Sequence, residues 1–532
     1  MRLPMLAILA GLAASPASAG DVPASDSHGI ATAVMQADAR ALAVVGKSDT
    51  AARHAGRAGY YRTLGDLAQS TRWARACIAN PQVVAEPGQQ LMYLCRSLLA
   101  GNLLLAGDIG GWAVEMEQVR VLYREHVAPS LRPGGELAAV ARPRFEAFTG
   151  WPRQWTLHAT AAPGTRVPVA DGPGVPVVRG RIRGGRDGKA RDVEVDFIID
   201  TGATHSHVSR RAAQAMGLEV RDGFGVDASD PARWAEIGLA TPVDVELGGI
   251  RFGDVAFSVT DAMEPALIGL DLLARLGPLR LGADELEVLA ELPPGCDAQL
   301  AATSLPWGGQ YALRLPMQIG RRKELVLLDT GNGASLEMAG TDLSAFPQAA
   351  LVERSRLTIH GLQRVRPAEA SAPVSFNGHA AELPTRVTDQ PARVFPVSWT
   401  AGYGLRTRYD FHVDVATAHG CLLPRAARQE QPPSAARGPR QARRTRAKSQ
   451  AHATREAGAS DAGLPGIRRA AAPGSWWSQP GSNRRPLACH ASALPAELWP
   501  HEHRPPGLCV PLEMWRPHGD SNPGRYRERV VS

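Results

Sequence analysis

Two Asp-Thr-Gly tripeptides are the residues of this sequence best suited to chemistry. Asp200-Thr201-Gly202 follows the apolar pair Ile198-Ile199, and Asp329-Thr330-Gly331 follows the apolar run 325–328. One such tripeptide would be an ordinary strand-to-turn sequence, but two, each at the end of an apolar strand, indicate a duplicated feature. Two carboxylates about 3 Å apart cannot both ionise, so they share one proton and can act as acid and base together. We therefore predict Asp200 and Asp329 as a catalytic pair that titrates as a coupled dyad.

The sequence around the two tripeptides repeats as well. Alternating apolar residues after position 155 predict short strands and hairpins. The turn Gly248-Gly249 lies 48 residues after Asp200, and Asn377-Gly378, a strong hairpin signal, lies 48 residues after Asp329. The first repeat closes on Gly269-Leu270-Asp271-Leu272-Leu273, and we align this segment with Gly404-Leu405-Arg406-Thr407-Arg408, which is more polar. The order of elements is the same in both halves.

These motifs resemble a known family. Residues 197–218, with Asp200-Thr201-Gly202-Ala203-Thr204, and residues 267–273 look like a lobe of a retropepsin-like aspartic protease, and the resemblance extends over residues 165–424. It implies an aspartic endopeptidase in which two tandem lobes of one chain share an active site. It also implies that Thr201 and Thr330 cross-link the opposite loops through their hydroxyls. The glycines of the two tripeptides, Gly202 and Gly331, let the loops approach closely.

The resemblance further implies a hairpin over the cleft of each lobe. We place the first near 225–238, with Trp234 as a substrate contact, and the second near Ile359-His360-Gly361-Leu362, with His360 and Gly361 as substrate contacts. Ordinary packing or solvation is the alternative reading of Trp234 and His360. In the second repeat Asn332-Gly333 replaces Ala203-Thr204, so a second lobe kept for symmetry without activity stays open.

Other chemistry has little support in the sequence. It contains no Gly-x-Ser-x-Gly elbow, Walker loop or His-Glu-x-x-His helix, so we expect no cofactor. His205 and His207 lack a third ligand, and the tail cysteines and histidines lack zinc spacing, so we expect no metal site.

The N-terminal third is predicted to be helical. Apolar residues recur at helical spacing from about 29 to 148, and we assign Tyr60, Leu64, Leu67, Ala74 and Ile78 to one helix face. A second helix around Leu91–Leu105 ends at Gly107-Asp108. The pattern vaguely resembles tetratricopeptide hairpins. Such a domain either packs against the protease lobes, as an intramolecular contact, or presents a surface to peptides.

The positive charge of the chain is concentrated in its C-terminal tail. The chain has 532 residues and a formal charge of +7, but from Arg425 onward 18 basic residues stand against 8 acidic ones. This tail has no apolar period, so we expect it to be disordered. We interpret its basic run 437–448 as a solvated segment rather than as a nucleic-acid site. Residues 481–486 resemble peptides that arise where a reading frame runs through a tRNA gene, which favours the interpretation that the tail is read-through sequence.

The N-terminus indicates export. Arg2, an apolar stretch from Leu3 to Ala14 and Ala17-Ser18-Ala19 are typical of a signal peptide. No later run is long enough for membrane insertion, and we expect a periplasmic protein. In an oxidising compartment Cys77 and Cys95 are the best disulfide pair, free thiols being the alternative, and a Cys296–Cys421 bond is open.

The predicted fold class is α+β and multidomain. We predict a signal peptide at 1–19, a helical domain at 20–160, protease-like lobes at 161–292 and 293–424, and a basic tail at 425–532. The predicted partner is a peptide or protein substrate. Two alternatives stay open: a non-catalytic protein that binds peptides or envelope polymer, and a homodimeric protease that uses only the Asp200 lobe.

Overall fold

The computed structural model describes most of the chain between Asp26 and Arg425. The described residues are 26–131, 136–172, 174–183, 192–230, 233–261, 266–339, 350–351, 354–358, 361–365, 367–388, 398–425 and 487–489. The predicted signal peptide and most of the predicted tail lie outside them. An N-terminal helical region is followed by two β-rich lobes, as the sequence predicts.

Short polar caps explain where the N-terminal helices begin. The carboxylates of Asp26, Asp38, Asp66 and Asp108 each accept a hydrogen bond from the backbone N–H three residues later, which satisfies a donor that the helix leaves free. The helices of this region are α1 (Ser27–Gln36), α2 (Ala39–Val45), α3 (Arg53–Thr63), α4 (Leu67–Ile78), α5 (Pro81–Val84), α6 (Gln90–Ala106), α7 (Ile109–Leu122) and α8 (Ala138–Ala141). Shorter helical turns lie at Tyr123–Val127, Ala128–Ser130 and Phe145–Phe148.

The single face predicted from Tyr60 to Ile78 belongs to two helices, so that prediction is wrong. Gly65 has φ +75° and ends α3 in the left-handed conformation that glycine adopts without strain, and Asp66 then caps α4. The predicted break at Gly107-Asp108 is confirmed, with Gly107 at φ +85°. A disulfide joins Cys77 of α4 to Cys95 of α6, with a Cα–Cα distance of 6.1 Å.

The first lobe is built on one large sheet. Alternating burial along β4 and β9 follows the alternation of apolar residues in the sequence. The sheet order is β1-β10-β9-β4-β5-β12-β6-β11-β8-β7, with β3 beside β4, and β1 begins just before the predicted boundary at 161. The elements are β1 (His158–Thr160), β2 (Arg166–Pro168), β3 (Ala170–Asp171), β4 (Pro176–Arg183), β5 (Val193–Ile199), β6 (His207–Ser209), α9 (Arg210–Met216), β7 (Val220–Asp230), β8 (Arg233–Ala240), β9 (Val243–Leu247), β10 (Ile250–Val255), β11 (Ser258–Thr260), β12 (Ala266–Ile268), α10 (Leu270–Leu273), β13 (Pro278–Leu281) and β14 (Glu285–Val288).

The second lobe repeats the pairings of the first. β5 is parallel to β12 in the first lobe, and β17 is parallel to β24 in the second. β12 is antiparallel to β6, and β24 is antiparallel to β18. The predicted turn at Asn377-Gly378 has positive φ at both residues, as a type I′ hairpin requires. The elements are β15 (Ala301–Thr303), β16 (Ala312–Ile319), β17 (Arg322–Asp329), β18 (Leu336–Ala339), β19 (Ala350–Leu351), β20 (Arg354–Thr358), β21 (Gly361–Val365), β22 (Ala368–Phe376), β23 (His379–Thr388), β24 (Trp399–Gly402), a helical turn (Tyr403–Thr407), β25 (Tyr409–Asp414), β26 (His419–Pro424) and, in the predicted tail, β27 (Leu487–Cys489) beside β20.

A third sheet joins the lobes. Its order is β2-β14-β13-β25-β26, and β13 of the first lobe pairs antiparallel with β25 of the second, from Pro278 opposite Asp414 to Leu281 opposite Phe411. The disulfide Cys296–Cys421 ties the connection between the lobes to β26, with a Cα–Cα distance of 5.0 Å. One apolar core runs through both lobes and this shared sheet. In the described part of the chain, no helix has the length and apolar character needed to cross a bilayer.

Candidate active site

Asp200 and Asp329 occupy equivalent positions in the two lobes. Asp200 directly follows β5, and Asp329 is the last residue of β17. Both strands lie inside their sheets, with a neighbouring strand on each side, and their last apolar residues are buried in the core. Each carboxyl therefore lies in the interior of the protein. Both side chains have 0% exposure. The loop after Asp200 turns back on itself, because the Gly202 N–H donates to Asp200 Oδ1 at 2.8 Å.

The two threonines interlock the loops, as the resemblance implies. The Thr201 N–H donates to Thr330 Oγ1 at 3.0 Å, and the Thr330 N–H donates to Thr201 Oγ1 at 3.1 Å. The Thr201 hydroxyl in turn donates to the Leu328 carbonyl at 3.0 Å, and the Thr330 hydroxyl donates to the Ile199 carbonyl at 2.6 Å. Each hydroxyl thus accepts from and donates to the opposite lobe, which fixes the two loops against each other.

Each glycine of the tripeptides packs on the aspartate of the other lobe. A Cβ atom placed on Gly202 would lie 2.5 Å from Cγ of Asp329, and one placed on Gly331 would lie 2.6 Å from Cγ of Asp200. Any side chain at either position would therefore overlap a carboxyl group. The reciprocal contact places both carboxyls at one junction between the loops, and it explains why the sequence needs glycine twice.

This junction has the composition of a general acid–base centre. Two buried carboxyls face each other's loops there, and a pair of carboxyls that shares one proton can act as base and acid together. Among the residues that the structure describes, no cluster of three or more His, Cys, Asp or Glu side chains could hold a metal ion.

The closing segments of the lobes correspond in a register different from the predicted one. Ile199 pairs with Ile268, which sets Asp200 opposite Gly269, whereas Asp329 pairs directly with Gly402. Gly269 therefore corresponds to Gly402 and not to Gly404. The prediction was wrong because the sequence offers two glycines, and only the strand register distinguishes them.

The corrected register removes most of the polar character attributed to the second lobe. Leu270 corresponds to Tyr403 and Leu272 to Leu405, and all four side chains are buried. The Leu270 N–H donates to the Ala203 carbonyl at 2.8 Å, and the Tyr403 N–H makes the equivalent bond to the Asn332 carbonyl at 2.7 Å.

The loops differ where the sequence differs. The Thr204 hydroxyl donates to the Tyr311 carbonyl of the other lobe at 3.2 Å, and Gly333 in the equivalent position has no side chain to do so. Asn332, fully buried, accepts the Ala334 N–H at 3.0 Å and so shapes its own loop. The second loop is thus ordered by a different set of bonds.

The predicted hairpins are present, but their tips lie outside the described residues. β7 and β8 form the first, and β20 and β21 form the second. Trp234 belongs to β8, with its side chain outside the described part of the structure, and Gly361 is the first residue of β21. His360 lies outside the described residues altogether. The role of these three residues as substrate contacts stays a prediction.

The histidines after the first tripeptide are structural neighbours of the loop. The ring nitrogens of His207 lie 3.3 Å from the hydroxyls of Ser258 and Thr260. Nδ1 of His205 lies 4.0 Å from the Asp271 carboxylate; burial lowers the pKa of His205, and the charge of Asp271 opposes that effect.

Sequence reasoning missed Asp271 as a support of the loop that follows Asp200. Its carboxylate accepts the Ser206 N–H at 2.9 Å and the Ser206 hydroxyl at 2.7 Å. Its position two residues after Gly269, in a segment otherwise apolar, is the signal that could have found it.

Part of the first lobe is similar in sequence to a known protein family. Residues 187–275 match the family model described as gag-polyprotein putative aspartyl protease. No curated protein matches the chain in sequence. Among solved structures, the aspartic proteinase from Irpex lacteus is similar at 11% identity, with a TM-score of 0.33, over 49% of this chain and 97% of that one. Conglutin gamma, a basic 7S globulin from lupine seeds, is similar at 8% identity, with a TM-score of 0.30, over 49% and 95%.

Proposed function

We propose that this chain is an aspartic endopeptidase that uses both of its lobes, and the match of residues 187–275 to the gag-polyprotein putative aspartyl protease family supports the proposal. One observation carries the proposal: each catalytic-loop glycine packs so closely on the aspartate of the other lobe that a Cβ atom on it would lie within 2.6 Å of the aspartate Cγ. The reciprocal Thr201–Thr330 bonds support it, because they hold the two loops in a fixed relation.

The proposed chemistry uses one water and one proton shared by Asp200 and Asp329. The ionised carboxylate takes a proton from the water, whose oxygen attacks the peptide carbonyl carbon, while the protonated carboxyl donates its proton to the carbonyl oxygen. The resulting tetrahedral diol then loses a proton to a carboxylate, the leaving nitrogen is protonated, and the C–N bond breaks. The products are an acid and an amine, and the pair returns to its starting protonation.

Substitution of each aspartate separately tests the proposal. In the full-length chain, we expect Asp200→Asn and Asp329→Asn each to lower cleavage of a peptide library by at least about 10²–10⁴-fold, the usual contribution of a general acid or base. Asp244→Asn is the matched control, because Asp244 is an exposed aspartate of the same lobe as Asp200. A statine-type transition-state analogue should inhibit the unsubstituted protein.

The same experiment separates the alternatives. Loss of activity with Asp200→Asn alone would identify a homodimeric enzyme that uses only the first lobe. No cleavage by the unsubstituted protein between acidic and neutral pH would favour the peptide- or envelope-binding protein. The interlocked loops of one chain favour the two-lobe arrangement over the homodimer, and the cleavage assay decides between the enzyme and the binding protein.

We also propose that the protein is exported. The signal-like N-terminus supports this, and so do the disulfides Cys77–Cys95 and Cys296–Cys421, which persist in oxidising compartments. N-terminal sequencing of the protein from a bacterial periplasmic fraction should find a chain that begins at Gly20. Recovery of an uncleaved chain from the cytoplasm would contradict the proposal.

A further inference from the structure

An aromatic cluster joins the helical region to the β7–β8 hairpin of the first lobe. The ring of Phe224, in β7, lies 5.0 Å from the ring of Trp112 in α7 and 5.7 Å from that of Phe148, measured between centroids. Phe224 is 7% exposed. Leu239 and Ile237 of β8 pack on the same cluster, so both strands of the hairpin rest on the helical region.

Backbone contacts hold the same edge of the hairpin. The backbone N–H of Arg144 donates to the Gly223 carbonyl at 2.8 Å, and the guanidinium of Arg221 donates to the backbone carbonyl of Ala147 at 3.0 Å. Gly223 has φ +87°, and a Cβ atom there would lie 2.7 Å from Cβ of Arg144. The hairpin therefore approaches the helical region as closely as a glycine permits.

Phe224 also contacts the catalytic loop. Its ring meets the ring of His205 edge to face, at 5.8 Å between centroids and 75° between planes. His205 precedes Ser206, which Asp271 anchors through two hydrogen bonds. One side chain thus touches the helical region, the hairpin and the loop that begins at Asp200.

The helical region reaches the second lobe as well. Arg62 of α3 is fully buried and donates to Ser304 Oγ at 2.9 Å and to the Pro306 carbonyl at 3.3 Å, just after β15. Arg314 of β16 donates to the Met35 carbonyl at the end of α1, at 3.4 Å. A helical region attached to both lobes can hold them in a fixed relation.

We propose that the helical region is a permanent part of the catalytic unit and that Phe224 is the positioning residue through which it orders the β7–β8 hairpin and the Asp200 loop. The inference rests on the proposed peptidase function for its kinetic consequence, but its structural consequence does not depend on activity. Removal of the helical region would leave Phe224 without its ring contacts to Trp112 and Phe148, so the proposal favours a permanent role over that of a removable inhibitory segment.

A pair of glycine variants tests the inference. Gly223→Ala introduces a methyl group at φ +87° against Arg144, whereas Gly164→Ala introduces one at φ +84° with no atom within 4 Å. Both variants carry the same backbone strain, and only the first pushes on the helical region. In the full-length protein, we expect Gly223→Ala alone to raise amide hydrogen exchange in the hairpin and in residues 203–207.

The kinetic expectation is a loss in kcat. Displacement of a catalytic loop by a fraction of an ångström lowers kcat by about tenfold or more, so Gly223→Ala should lower kcat per active site, counted by titration with a statine-type inhibitor, and Gly164→Ala should not. Unchanged exchange at 203–207 in Gly223→Ala would overturn the inference. Unchanged kcat per active site would overturn it too, because it would reduce the contact to a merely structural one.

A second pair covers the case in which Gly223→Ala does not fold. Phe224→Leu removes the ring that meets His205, and Phe145→Leu removes a ring of the same cluster that meets Trp112 edge to face at 5.3 Å. Increased exchange at 203–207 only in Phe224→Leu supports the inference, and equal exchange in both refutes it. If the unsubstituted protein cleaves nothing, the proposed function fails while the exchange comparison still decides this inference.

Discussion

Replacement of Thr330 by Val tests whether the interlocked loops stabilise the two-lobe core. Valine keeps the shape of threonine but can neither accept the Thr201 N–H nor donate to the Ile199 carbonyl. Thr330 is fully buried, so water cannot replace these bonds. Each buried group left without its partner costs about 1–3 kcal/mol. We therefore expect Thr330→Val to lower the free energy of unfolding by about 2–6 kcal/mol, taking the two losses together.

Urea unfolding of the full-length protein, followed by tryptophan fluorescence, measures this loss. Thr330→Ser is the matched control, because serine keeps the hydroxyl and both bonds and loses one methyl group. Thr201→Val should cost a similar amount, since it breaks the two reciprocal bonds. In the double variant the second substitution should cost less than alone, by about 0.5–3 kcal/mol, because the loops have already separated.

The refuting result is a Thr330→Val protein as stable as Thr330→Ser within about 0.5 kcal/mol, the range of neutral substitutions. Strict additivity in the double variant would also refute the argument, because it would show that the two loops are not locked together.

Three further predictions follow from buried groups. Cys296→Ala should lower stability by about 4–5 kcal/mol, because the Cys296–Cys421 bond closes a loop of 125 residues. Reductant should then lower Tm by less in Cys296→Ala than in the unsubstituted protein, where it breaks this bond as well as Cys77–Cys95, and an equal fall in both proteins would contradict this expectation. Burial lowers the pKa of His205 below its unfolded value of 6.5, so the unfolded chain binds a proton at His205 at a higher pH than the folded chain does, and stability is lost as pH falls below 6.5. His205→Asn should therefore make the free energy of unfolding depend less on pH, as measured by urea unfolding at several pH values. The same pH dependence in the variant and the unsubstituted protein would contradict this prediction. Arg62→Met should lower stability by about 3–5 kcal/mol, because four buried acceptors lose their donor. Thermal unfolding measures this loss, with Arg57→Met as the control variant. Equal losses of stability in the two variants would contradict the prediction.

The duplicated part of the fold could be predicted because its signals are local. An apolar strand followed by Asp-Thr-Gly, and a hairpin turn 48 residues later, each depend on neighbouring residues only. The strand register could not be predicted in the same way: Gly402 and Gly404 both suit a closing glycine, and the pairing of Asp329 with Gly402 decides between them.

Contacts between distant segments left little trace in the sequence. Arg62 is one of many arginines, and nothing near it indicates that Ser304 and Pro306 would accept its hydrogen bonds. In the sequence, Phe224 has the pattern of an ordinary strand residue, and only the structure shows that its ring contacts both Trp112 and His205. The helix break at Gly65 was hidden because Leu64 and Leu67 continue an apolar spacing.

The two halves belong to one polypeptide, and the pairing of β13 with β25 joins them in one sheet. In an assembly of two identical subunits, every amino-acid replacement would appear on both walls of the cleft. Here a change in one half leaves the other as it was, so Thr204 can bond across the junction while Gly333 opposite it carries no side chain. Under the proposed function, the two lobes can therefore contact the two sides of a bound peptide through different side chains.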